Sequence, residues 1–187
     1  MRLLTLLTAA AVSLSLVAGS ALAQTEKAKK QAEVRKVTAA SIEKFYKADP
    51  KIKAELAKAP GYAVFTTYGL SFIVGGQGGK GLAHNAKTKK DVFMEMAQAS
   101  AGFQAGIAET ETLIIFKSEK ALQQFEDKGW EAGGGGQMAA GAAGKSVGAG
   151  GGEQAIADAT YYTLTPNGLQ AGIAVAGTKF WKDKDLN

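Results

Sequence analysis

The chain has 187 residues, with 22 basic and 17 acidic side chains for a formal net charge of +5, 24 glycines, one histidine and no cysteine. The length suits one domain with a sizeable core. The missing cysteines exclude disulfide staples, thiolate metal sites and a cysteine-linked lipid anchor, and the single histidine leaves zinc ligation without partners.

Residues 1–23 carry one early charge at Arg2, an apolar stretch from Leu3 to about Val17, and Ala21 and Ala23 around Leu22. This pattern predicts a secretory signal peptide cleaved after Ala23, and hence a periplasmic or secreted protein. The stretch is shorter than the roughly 20 apolar residues a spanning helix needs. Residues 24–60 follow as a basic helical segment with 10 basic and 5 acidic groups, whereas residues 61–187 hold 11 and 12. An acidic surface such as anionic lipid therefore meets the N-terminal segment first.

From Glu26 to Ala48 the residues Val34, Val37, Ile42 and Phe45 recur near helical spacing, with no glycine or proline between them. Lys29, Lys36 and Lys47 fall roughly opposite Val34, Val37 and Phe45, so an apolar and a basic stripe share one helix. These six residues are the candidate lipid-binding set, because an interfacial helix buries one face and offers cations to headgroups with the other. The competing reading packs the apolar stripe on a sheet and leaves the lysines solvated. Asp49 and Pro50 then open a second short helix patterned by Ile52, Leu56 and Ala59, and Pro60 and Gly61 stop it.

Beyond Gly61 the texture becomes β-branched and aromatic. Strands are predicted at Tyr62 to Thr67, Leu70 to Val74, Asp91 to Ala97, and Ala101 to Phe116 with an internal bend. Ser118 caps a short helix with an apolar face of Ala121, Leu122 and Phe125, and Gly129 ends it. Between Ala132 and Gly152, 10 of 21 residues are glycine and 6 are alanine, which argues against an independent helix there. A hairpin closes the pattern, Ala159 to Leu164 and Leu169 to Ala176, turned at Thr165 to Gly168. The seven-residue string GFQAGIA at 102–108 returns as GLQAGIA at 168–174. Two such near-identical strands, with glycine and alanine on one face, imply two equivalent places in one sheet and close backbone approach.

Chemistry-bearing motifs are few. Ala139, Gly144, Lys145 and Ser146 fit a loose phosphate-loop pattern, but no hydrophobic strand precedes them and no helix follows. Gly76, Gly78 and Gly81 have dinucleotide spacing, yet Leu82 to Lys90 lacks helical periodicity and reads as strand and loop. His84 reads as a solvent-exposed side chain, and Glu109 with Glu111 as an exposed pair on one strand face. The expectation is a non-catalytic chain with no cofactor, no metal and no nucleotide or nucleic-acid partner.

From Pro60 onward the order of elements resembles the SYLF domain. The matching residues are Ala59 to Phe65, Phe72 to Gly81, Gly102 to Ile107, Leu113 to Phe116, Ala121 to Phe125 with Gly129 and Trp130, and Asn167 to Gly177. The resemblance implies an α+β fold: N-terminal helices plus a curved, barrel-like antiparallel sheet with one inserted short helix. It also implies phospholipid binding and no catalytic residues. Residues 61–187 would form this glycine-rich domain. The function expected is anionic phospholipid association at the cell envelope; the alternative is a self-assembling envelope protein whose bare strand faces meet one another.

Overall fold

The computed structural model describes residues 5–67, 76–99, 110–131, 158–171 and 178–187. Among these residues three helices, α1 (Thr5–Ala48), α2 (Lys51–Lys58) and α3 (Glu119–Lys128), accompany eight strands. The strands are β1 (Gly61–Thr66), β2 (Gly76–Asn85), β3 (Asp91–Ala99), β4 (Glu111–Phe116), β5 (Trp130–Glu131), β6 (Ala159–Thr165), β7 (Gly168–Ala171) and β8 (Thr178–Lys182). They pair antiparallel in the order β5-β8-β3-β2-β1-β4-β6-β7, curled as a half-barrel. The α+β class with a curved antiparallel sheet is therefore the fold of this chain.

The sheet is covered on both faces, which explains why β1 and β4 read as nearly unbroken apolar runs. Alternation sends Ala63, Phe65, Ile114 and Phe116 to one side, where they meet Met94, Met96, Leu122, Phe125, Trp130 and Phe180 under α3. Val64, Leu113 and Ile115 point the other way and join Leu82, Phe93 and Tyr162 beneath Phe45 of α1 and Ile52 of α2. The α3 side is an aromatic cluster: Phe180 lies 4.7 Å from Phe65, 5.6 Å from Phe125 and 5.7 Å from Trp130, ring centre to ring centre.

Local signals place the helices. Ser118 Oγ accepts from the Ala121 amide at 3.2 Å, and Gly129 takes φ 69° at the C-terminal stop, where any Cβ would collide with the Phe180 carbonyl. Asp49 Oδ1 accepts from the Lys51 amide at 2.9 Å, so the predicted cap is formed one residue before Pro50. The predicted helix at Glu26 is part of a longer one that starts at Thr5. No helix of the described residues is long and apolar enough to cross a membrane. β2 runs from Gly76 to Asn85, within the stretch that reads as strand and loop, and its Leu82 and Ala83 are buried on opposite faces. Leu70 to Val74, the GFQAGIA string, the tract from Ala132 to Gly152 with its Lys145, and Gly172 to Ala176 lie outside the described residues.

Candidate functional site

α1 lies across the sheet, and its two stripes have different fates. Phe45 is 0% exposed and belongs to the core shared with Val64, Leu82, Leu113 and Leu186. Val34, Ile42 and Tyr46 pack against that core, and Val37 is half-buried. Lys29, Lys36 and Lys47 are exposed. The helix thus spends its apolar stripe on the sheet and turns a row of ammonium groups to solvent. Among these three lysines the ion pair is Lys29 with Glu26 at 2.9 Å, and both partners are so exposed that the pair contributes little.

Polar contacts that the local sequence did not show fasten α1 in place. Arg35 Nε donates to Asp91 Oδ2 at 2.7 Å, with its guanidinium 4.8 Å from the centre of the Phe93 ring. The other Asp91 oxygen meets His84 Nδ1 at 2.7 Å. Burial alone would raise the Asp91 carboxyl, but the Arg35 and His84 hydrogen bonds hold it below its ordinary value. Lys44 Nζ donates to Glu111 Oε1 at 2.5 Å. Two expectations are corrected by these pairs. His84 is half-buried, its ring tilted against that of Tyr62 with centres 5.2 Å apart, and is not a solvent-exposed side chain. Glu111 is buried, not part of an exposed pair, because a lysine arrives from the helix to neutralise it; Glu109 lies outside the described residues.

The residues after β8 complete the clamp. Asp183 Oδ1 accepts from the Asp185 and Leu186 amides at 2.9 and 3.0 Å, while Lys80 Nζ donates to its other oxygen at 2.6 Å. Burial opposes ionisation of Asp183, yet Lys80 and those two amides hold its carboxyl below the usual value. Leu186 enters the core, and its carbonyl accepts from Gln31 Nε2 of α1 at 2.7 Å. Asn187 bonds both the amide and the carbonyl of Phe93 in β3. Along the sequence these residues show only alternating charges, Lys182 to Asp185, with no pattern that marks a core contact. The spacing Asp183-x-Asp185-Leu186, an acidic side chain two and three residues before amides it can cap, was the available signal.

The arrangement offers charge and little chemistry. No group of three or more histidines, aspartates and glutamates among the described residues could hold a metal. His84 and Asp91 form a hydrogen-bonded pair, but Arg35 occupies the second carboxylate oxygen and no hydroxyl nucleophile bonds His84 among the described residues.

A family model described as Ysc84, Las17-binding protein actin regulator, matches residues 97–187. Over 151 residues, 76% of this chain, the sequence is 32% identical to Beta cell expansion factor A of Aeromonas veronii. The chain spans about half the length of that relative, 53%.

Proposed function

The chain belongs to the SYLF domain family, matched over its residues 97–187, and on that premise we propose that it is a non-catalytic module that associates with anionic phospholipid at the cell envelope. The family's association with lipid supplies the class of ligand. The observation that carries the reading is the exposed lysine row, Lys29, Lys36 and Lys47, on a helix whose apolar stripe is held by the sheet. In this reading the lysines meet headgroups while Phe45 stays in the core, so binding is peripheral and electrostatic. In this reading cleavage after Ala23 exports the protein to the envelope. Las17 binding and actin regulation stay with the name of the family model.

Co-sedimentation with vesicles of phosphatidylcholine, with and without phosphatidylglycerol, tests the proposal. Binding should require the anionic lipid and fall with added salt. Replacing Lys29, Lys36 and Lys47 by glutamate should weaken it by about 3 kcal/mol at moderate salt, near 1 kcal/mol per lysine. Undiminished affinity in that variant would remove α1 as the lipid-facing element.

A second reading, self-assembly, draws on β7. Among the described residues this strand ends the sheet order, carries no charged side chain, and leaves Gln170 and Ala171 exposed. An uncharged edge invites pairing with another copy. A defined oligomeric mass in solution, indifferent to lipid, would favour it.

A further inference from the structure

We propose that the turn between β2 and β3 is an anion site that takes a phosphate group, separate from the lysine row of α1. Residues 87–90 read Lys-Thr-Lys-Lys, and all four are exposed. Their backbone is held in shape from below. Asn85, buried, accepts from the Lys87 and Thr88 amides through Oδ1 at 3.0 and 2.9 Å. Its carbonyl accepts from the Lys89 amide at 2.9 Å, and its amide donates to the Lys90 carbonyl at 3.0 Å. The turn therefore presents three ammonium groups from a fixed base.

Little charge opposes them. The adjoining acid, Asp91, is already engaged by Arg35 and His84 at 2.7 Å each. Exposed Lys87 reaches half-buried Glu119 only at 3.6 Å, while Lys89 and Lys90 make no ion pair among the described residues. Other elements add cations at the same end of the sheet. The Ala86 amide donates to the Pro60 carbonyl, which brings the end of α2 and its exposed Lys58 alongside. The Lys87 to Glu119 contact brings the start of α3, flanked by exposed Lys117 and Lys120. Several ammonium groups on neighbouring elements suit phosphate oxygens, for which lysine acts as a point charge and needs no fork geometry.

The phosphate has two possible sources, a lipid headgroup or a free phosphate ligand, and only the first rests on the lipid reading above. The test uses the full chain and a variant with Lys87, Lys89 and Lys90 replaced by glutamate, both checked by thermal melting. Amide chemical shifts at 85–91 are followed as inorganic phosphate is added, and co-sedimentation is run with the phosphatidylcholine and phosphatidylglycerol vesicles. The expected result is a phosphate-dependent shift confined to the turn, absent from the variant, and a loss of vesicle affinity on the order of 100-fold. A turn response with undiminished vesicle affinity upholds the site and assigns it to a free phosphate ligand. A vesicle loss alone upholds it as a headgroup site. No turn response and no vesicle loss overturns it. If the unaltered chain ignores vesicles altogether, the lipid reading falls, and the phosphate titration still decides the turn.

Discussion

Phe45 and Lys47 are two residues apart, yet the fold uses them in opposite ways. Truncating Phe45 to alanine empties a fully buried site and should cost about 3–5 kcal/mol of stability, seen as a lowered denaturation midpoint. Lys47→Glu at the exposed position should change stability by about 0.5 kcal/mol or less. Gly81 shows the same dependence on what lies opposite. A Cβ there would collide with the Val64 carbonyl and the Phe65 ring of the neighbouring strand. Tyr162 provides a pH signature: burial, then its hydrogen bond to the Glu55 carboxylate, pushes the phenol up to about 12 from its ordinary 10.0. Because the folded state holds this proton more tightly, the stabilisation is complete below the ordinary value and disappears as pH rises through the folded one. Between those two values, Tyr162→Phe should lose less stability with rising pH than the unaltered chain does, as measured by denaturant unfolding at each pH.

At the scale of elements, α3 depends on its ends as well as its apolar face. Ser118→Ala removes the acceptor for the Ala121 amide and should cost about 1 kcal/mol, readable as a shift of the urea midpoint at unchanged slope. The fastening of α1 is electrostatic as well as apolar. Asp91 and Asp183 both have carboxyls held below the ordinary value by their cationic partners and, for Asp183, by backbone amides. Their contribution is present above the unfolded carboxylate value, about 3.9, and is lost as pH falls through the depressed folded values. Below about pH 4, hydrogen exchange should therefore quicken first in α1 near Gln31 and Arg35, where Leu186 and Asp91 hold it. Asp183→Asn should bring part of that loosening to neutral pH.

At the scale of the molecule, the sheet needs helices on both sides. Deleting residues through Pro60 would strip the cover from Val64, Leu82, Phe93, Leu113 and Ile115, which share one core with Phe45 and Ile52. Such a fragment should bind a hydrophobic dye or aggregate, since contiguous apolar patches of that kind are rarely left open. A soluble fragment without dye binding would show that α1 and α2 are dispensable cover.

Local residue pattern was enough for the elements whose signals are short-range. The apolar runs of β1 and β4, the cap and stop at Ser118 and Gly129, the turn at Thr165 to Gly168 and the two stripes of α1 all follow from nearest neighbours and period. The ordered set of these segments also carried the family and the α+β sheet. What an element faces was decided only by the tertiary structure. Helical spacing shows that Phe45 and Val34 share a stripe, but whether a sheet or a membrane receives it depends on Val64, Leu113 and Phe93, which come later in the chain. His84 and Glu111 sit in polar surroundings along the sequence and read as exposed. They are enclosed because Arg35 reaches Asp91 across 56 positions and Lys44 reaches Glu111 across 67. Burial of a charge is set by the partner that neutralises it, and a partner that distant leaves no mark on the local pattern.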